Sequence, residues 1–136
     1  MIRFESENIA LPDLPYDAVR KWIEEVALAH GYETGRLNYL FCDDPTMLEA
    51  NNKYLGHDYY TDIITFDYTR GTRINGDMII SLDTVRSNAE AAGEDYRREL
   101  LRVIIHGVLH LCGIDDKGPG EREIMERHEN EALNAF

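Results

Sequence analysis

This chain of 136 residues has no long apolar run, only two cysteines and no surplus of positive charge. No stretch stays apolar for the roughly 20 residues that a membrane helix needs, so we expect no membrane span. Residues 1–5 do not form the basic segment followed by an apolar one that marks a secretory signal, so we expect a cytoplasmic protein. Cys42 and Cys112 are the only cysteines. In that compartment we expect both to be reduced and buried.

Basic residues are few relative to acidic ones: 14 against 26, for a net charge of −12. A protein that held nucleic acid by general attraction to phosphate would need the opposite balance. The charge still allows a local basic patch, and the arginines are unevenly spread. Arg70 and Arg73 lie close together, and Arg97, Arg98 and Arg102 precede the stretch discussed below. We interpret Arg97 and Arg98 as part of a solvated helix face.

Apolar periodicity predicts four strands and five helices. Strands are expected over residues 1–6, 36–42, 60–68 and 77–81, and helices over about 15–30, 44–55, 83–91, 94–112 and 121–133. We expect Asp44 and Asp83 to cap the second and third helices, and Asn75-Gly76 to form a turn. Regular β-α-β alternation is missing. The pattern therefore indicates an α+β or mixed α/β fold in a single domain, residues 1–136, with a four-stranded mixed sheet.

The most informative residues present are two histidines in the fourth predicted helix. His106 and His110 are four apart, which places them on one helix face, within an otherwise apolar run. Gly113 offers a helix stop, after which the chain can bring Asp116 to the same point. Two nitrogens and one oxygen leave a fourth tetrahedral position open, as in catalytic zinc sites. We predict that these three residues bind one zinc ion; the alternative is a pair of satisfied core histidines.

The stretch at 106–116, HGVLHLCGIDD, resembles the signature of the YbeY endoribonucleases, metal-dependent bacterial proteins of ribosomal RNA maturation. Residues 51–54 with 61–66, and residues 76–81, are similar to two further blocks of that family, in the same order. The resemblance implies a zinc-dependent endoribonuclease that cleaves single-stranded ribosomal RNA in ribosome maturation and quality control. It also implies ribosomal small-subunit proteins as further partners.

Two departures from the family pattern affect the expected site. Asp116 stands where the family has a third histidine, and its oxygen binds zinc at a similar distance. Leu55 stands where the family usually has an arginine that is implicated in activity. Arg102, one turn before His106 on the same side, is therefore a candidate catalytic residue. Arg70 and Arg73 are candidates for substrate binding.

The general base is not evident from the sequence. Asp115 is a candidate catalytic carboxylate, and its alternative role is to face solvent and cap the loop. Asp62, on the strand expected to line the cleft, is a candidate for substrate binding, and its alternative role is structural. A zinc ion would either activate water or polarise a phosphoryl oxygen, and the sequence leaves both open.

Two other functions fit parts of the pattern. The spacing His-x-x-x-His-x-x-Gly-x-x-Asp is also that of metzincin-type zinc peptidases. Those enzymes need a glutamate directly after the first histidine, where this chain has Gly107. The other possible function is that of a non-catalytic ribosome assembly factor whose metal stabilises the fold. Leu55 and the net charge of −12 are compatible with that function.

Overall fold

A computed structural model describes residues 1–56 and 61–136 of the chain. Four strands, five α-helices and one π-helical segment lie within these ranges. They are β1 (Ile2–Glu7), α1 (Tyr16–Ala29), β2 (Glu33–Cys42), α2 (Asp44–Ala50), the π-helical segment (Asn51–Leu55), β3 (Ile63–Asp67), β4 (Arg73–Ser81), α3 (Leu82–Ala92), α4 (Tyr96–Leu111) and α5 (Glu121–Asn134). The predicted set of four strands and five α-helices is confirmed.

The strands form one mixed sheet in the order β1-β2-β4-β3. β1, β2 and β4 are mutually parallel, and β3 pairs with β4 in the antiparallel direction at one edge. Helix α1 connects the parallel strands β1 and β2. The predicted α+β, mixed-sheet fold is therefore confirmed.

The two faces of the sheet have different surroundings. Side chains alternate along a strand, so neighbouring residues of β2 and β4 point to opposite faces. The first set is buried in the main core, where helices α1, α3 and α4 cover the sheet: Leu37, Tyr39, Phe41, Ile74, Met78, Ile80. The second set is only partly buried and forms, with Phe66 of β3, what we call the open face: Asn38, Leu40, Phe66, Asp77, Ile79. Only the end of this face near Met47 and Ile64 has its own small apolar cluster.

Two predicted helix caps are wrong by one or two residues. Asp43, not Asp44, caps α2: its carboxylate accepts a hydrogen bond from the Thr46 backbone N–H at 3.0 Å. Asp44 instead accepts hydrogen bonds from Ser81 Oγ and Thr84 Oγ1, both at 2.6 Å, and so ties α2 to α3. Ser81, not Asp83, caps α3. Adjacent polar residues compete for a cap, and tertiary contacts decide which one takes it.

The predicted Asn75-Gly76 turn is also wrong, because β4 runs through both residues from Arg73. The reversal between β3 and β4 lies further back, where Gly71 takes a φ of +56°. Gly76 is needed for close packing instead: a Cβ there would lie 2.8 Å from the Phe66 carbonyl oxygen. The first residue of the predicted strand 60–68 lies outside the described residues.

Cys42 and Cys112 are free and buried, as predicted. Burial raises the pKa of Cys42 to about 12 and that of Cys112 to about 11, so both remain neutral thiols. No helix in the ranges 1–56 and 61–136 combines the length and the apolar character needed to cross a membrane.

Candidate active site

Helix α4 places His106 and His110 one turn apart, and the loop that follows returns Asp116 to them. Gly113 permits this return because it takes a φ of +90°, which other residues adopt only under strain. His106 Nε2 and Asp116 Oδ2 are 3.3 Å apart. His106, His110 and Asp116 line one cavity of about 430 Å³. The structure thus brings all three predicted ligands to the wall of a single cavity.

The second nitrogen of His106 is held by a residue from the last helix. His106 Nδ1 lies 2.7 Å from Oε2 of Glu129, a buried carboxylate on α5. Arg102 Nη1 donates to the other Glu129 oxygen at 3.1 Å. When Nδ1 donates its proton to Glu129, the lone pair of Nε2 points towards Asp116. A carboxylate behind a ligating histidine orients the ring and raises its basicity in just this way.

Charges around His106 set the protonation of the site. Burial by itself lowers the pKa of His106, but the Glu129 hydrogen bond and the carboxylates of Glu129, Asp116 and Asp62 more than offset this, so the pKa is raised. Burial raises the pKa of Asp62, and the nearby His106 lowers it only in part. The site therefore gathers negative charge that attracts a cation.

The donor set suits zinc, although its three members are not all in place. His106 Nε2 and Asp116 Oδ2 are 3.3 Å apart. That is close to the roughly 3.4 Å between two ligand atoms each about 2.1 Å from one tetrahedral ion. Within the described ranges, however, no three His, Cys, Asp or Glu side chains are arranged so that they could hold a metal ion. The zinc site of His106, His110 and Asp116 therefore stays a prediction, with His106 and Asp116 as its close pair.

Arg102 is held by three side chains of the protein. Besides Glu129, it donates to Asn130 Oδ1 at 2.9 Å, and its longest ion pair is with Glu99 at 3.7 Å. It lines an adjoining cavity of about 580 Å³ that also contains Asp62, His106 and Asp116. Arg102 thus both faces the site and fixes Glu129 behind His106.

The two candidate carboxylates differ in position. Asp62 lies on the wall of both cavities, whereas Asp115 is exposed and belongs to neither. Arg70 and Arg73 are also absent from both cavities. They lie at the far end of β4 and line a separate groove of about 590 Å³. The structure therefore brings Asp62 to the predicted site and leaves Asp115, Arg70 and Arg73 outside it.

Three further residues of the site were not among the predicted site residues. Glu129 had a detectable signal, because it interrupts the apolar stripe of α5 between Met125 and Ala132, where a carboxylate is costly to bury. Lys117 lines the His106 cavity beside Leu55, where the family arginine was expected. Asn51 lines it too. Its side-chain amide is buried and has no hydrogen-bond partner in the described part of the chain.

Gly107 excludes the catalytic arrangement of a zinc peptidase. It is buried where α4 crosses the sheet, and a Cβ there would lie 3.1 Å from Met78 and 3.2 Å from Ile63. A glutamate would therefore be forced into the apolar core and could not serve as a general base at the cavity.

Comparison with known proteins agrees with this architecture. A family described as "Endoribonuclease YbeY" matches residues 2–136. Endoribonuclease YbeY of Phocaeicola vulgatus is 60% identical over 133 residues, which cover 98% of this chain and 96% of the relative. That of Parabacteroides distasonis is 61% identical over 132 residues, 97% of this chain and 93% of the relative.

The fold is shared with a solved structure as well. The solution structure of TM1509 from Thermotoga maritima aligns with a TM-score of 0.70 over 98% of this chain and 87% of that one, at 24% sequence identity. The structural likeness supports the fold, whereas the family match and the similar sequences show the family. The chain therefore belongs to the YbeY family of endoribonucleases.

Proposed function

We propose that this protein is a zinc-dependent endoribonuclease that cleaves single-stranded ribosomal RNA during ribosome maturation and quality control. The observation that carries the proposal is the cavity of His106, His110 and Asp116, with Glu129 behind His106, in a member of this family. Its site of action would be the cytoplasm, on RNA, with ribosomal small-subunit proteins as further partners.

The chemistry follows from the side chains at the cavity. A zinc ion held by His106, His110 and Asp116 would activate water and stabilise charge that develops on a phosphoryl oxygen. Asp62 is the carboxylate best placed to accept the proton of the attacking water, since it lines both cavities and its pKa is raised towards the working range. Asp115, which is exposed, is the weaker candidate for this role.

Positive charge at the cleavage site must come from residues other than position 55. Leu55 lines the cavity, as expected of the position equivalent to the family arginine. Lys117 on the same wall, and Arg102 and Arg122 in the adjoining cavity, are the cations that line the two cavities. We assign Arg102 mainly to holding Glu129 and assign Lys117 to the phosphate group being cleaved.

The other two functions explain fewer observations. A peptidase has no room for its general base beside His106. A purely structural metal does not account for Asp62, whose carboxylate is partly buried at the cavity wall although burial raises its pKa. Partly burying a carboxylate lowers the stability of the protein, and a purely structural site gains nothing from that loss.

Cleavage assays test the proposed activity directly. Purified protein should cut single-stranded ribosomal RNA, leave the same segment intact when it is annealed to a complement, and lose activity in a chelator. Zinc should restore the activity. Casein serves as the control for the peptidase. RNA that stays intact at every metal concentration, with a zinc-loaded and folded protein, would leave the assembly-factor function in its place.

The metal ligands are tested by a substitution towards the family pattern. Asp116→His restores the family's third histidine, so zinc binding measured by calorimetry should be retained. Asp115→His is the matched control, one position away, and should not change zinc affinity in the presence of native Asp116. Loss of zinc from Asp116→His would show that the loop cannot present an imidazole and would count against the three-ligand assignment.

A further inference from the structure

Two aromatic side chains stand exposed at the edge of the open face. Tyr54 is 52% exposed and Tyr68 is 57% exposed, although burying an aromatic ring usually stabilises a protein. Phe66 packs against Tyr54, with ring centroids 5.3 Å apart and an interplanar angle of 79°. Together with Leu40 and Ile79 these three rings line a shallow groove of about 370 Å³. Contiguous exposed aromatic surface of this kind marks binding sites.

The aromatic groove and the active-site cavity are lined by neighbouring residues of the same two segments. Leu55, the neighbour of Tyr54, lines the cavity of His106 and His110. Ile64 lines it as well, and it lies two residues before Phe66 on the same side of β3. Two residues along a strand span about 7 Å, roughly one nucleotide of an extended strand. The spacing of Ile64 and Phe66 thus puts the aromatic rings about one nucleotide from the cavity along β3.

The other end of the groove leads to a cluster of arginines. The 590 Å³ groove of Arg36, Arg70 and Arg73 shares Tyr68 with the aromatic groove, together with Asn38 and Asp77. Arg73 reaches Glu33 only at 3.6 Å, in a pair whose two side chains are both more than half exposed. Such pairs are weak. Neither Arg36 nor Arg70 has an acidic partner within residues 1–56 and 61–136.

We propose that this surface, the aromatic–arginine strip of Tyr54, Phe66, Tyr68, Arg36, Arg70 and Arg73, binds the single-stranded RNA that extends from the active-site cavity. The rings stack on bases, and the guanidinium groups bind phosphates. This combination is how proteins hold single strands without reading their sequence. The proposal rests on the proposed endoribonuclease function and adds that the RNA leaves the active-site cavity over β3 towards the arginines.

Charge distribution favours RNA over a protein partner as the occupant. Three arginines and one carboxylate, that of Asp77, line this groove, so basic groups outnumber acidic ones there in a chain whose net charge is −12. Hydrogen bonds fix the two nearby carboxylates in place: Asp77 accepts from Asn38 Nδ2 at 2.9 Å, and Asp67 accepts from the Thr69 backbone N–H at 2.9 Å. A single strand also fits a shallow groove that a duplex could not enter.

Binding of the intact, chelator-treated protein to a fluorescent single-stranded RNA tests the strip without cleavage. Tyr54→Ala and Tyr68→Ala should each weaken binding about fivefold or more, because one lost stack costs about 1–3 kcal/mol. Tyr54→Phe and Tyr68→Phe should bind like the native protein, since a ring suffices. In Arg36→Ala/Arg70→Ala, the slope of log affinity against log salt should fall by about 0.7 for each lost phosphate contact.

Matched controls and substrate length separate the possible outcomes. Arg97→Ala/Arg98→Ala removes the same charge from an exposed helix turn off the strip and should leave binding unchanged. Strip variants should cut an oligonucleotide that fills only the cavity as fast as the native protein and should cut a long one more slowly. If the strip variants bind RNA as tightly as the native protein, the proposed strip is wrong, while the proposed endoribonuclease function is unaffected. A native protein that neither binds nor cuts RNA overturns the proposed function.

Discussion

The two faces of the sheet carry different kinds of functional surface. On the covered face, α4 and α5 hold His106, Glu129 and Arg102 in a chain of contacts between 2.7 and 3.1 Å. On the open face, Tyr54, Tyr68 and Arg70 stand exposed. The first face gives a few groups fixed positions, whereas the second offers an adaptable surface. Chemistry needs the former and retention of a long flexible substrate needs the latter.

The difference predicts where substitutions act. On the covered face a change should alter metal binding and the rate at saturating RNA. On the open face it should alter affinity and salt dependence. The next four predictions concern the covered face and run from the largest expected effect to the smallest.

Removal of a predicted ligand should have the largest effect. His110→Ala should lose zinc and RNA cleavage together, because two remaining ligands rarely hold zinc tightly. Elemental analysis and a cleavage assay on the same preparation measure both. His128→Ala, on α5 away from the cavity, is the control and should keep both properties. A His110→Ala protein that keeps its zinc and its activity would remove His110 from the ligand set.

Neutralising the residue behind His106 should have the next largest effect. Glu129→Gln keeps the size of the side chain but removes the charge that orients and polarises His106, so zinc affinity should fall about 10–100-fold. Competition with a chelating dye measures the change. Glu126→Gln on the same helix, 56% exposed, is the matched control. Unchanged affinity in Glu129→Gln would limit Glu129 to a packing role.

Arg102→Ala should reduce cleavage less than either of these changes. If Arg102 acts mainly by holding Glu129, zinc affinity falls severalfold while the salt dependence of RNA binding stays the same. If it contacts phosphate instead, the salt slope falls by about 0.7 and zinc affinity is retained. Measuring both quantities on the variant distinguishes the roles, and a variant unchanged in both would exclude Arg102 from the site.

Asp62→Asn should have a small effect on the stability of the metal-free protein, and that effect should be an increase. Because burial raises the folded-state pKa of Asp62, its ionised form opposes folding at every pH above that pKa. The metal-free variant should therefore melt higher than the native protein at neutral pH, by about 2–4 °C for each kcal/mol relieved. The gain should vanish as the pH falls below the unfolded-state value of 3.8. Cleavage should nevertheless drop if Asp62 accepts the proton.

Local patterns were sufficient for the elements and for the three candidate ligands that line one cavity. Apolar periodicity located α4 to within two residues at its start and one at its end, since sixteen residues of amphipathic helix allow little choice. The spacing of His106 and His110, with Gly113 after them, placed Asp116 at the same cavity. Caps and turns were less predictable, as at Asp43 and Gly71, because neighbouring residues satisfy local rules equally well.

Contacts between distant segments could not be read from the sequence. Glu129 lies 23 residues after His106, and only the packing of α5 on α4 brings its carboxylate to Nδ1. Tyr54 and Phe66 likewise meet because β3 folds beside the π-helical segment. Arg70 and Arg73 were expected near the metal, but the antiparallel course of β3 and β4 carries their loop to the opposite end of the sheet.

The sequence by itself determined the helices and strands, the histidine pair and the family to which the chain belongs. It could do so because each of these depends on residues close together along the chain. The tertiary structure decided which groups surround His106, which arginines face a groove and which side of the sheet stays open. Those depend on side chains that are remote in sequence and meet only when apolar faces are buried against one another.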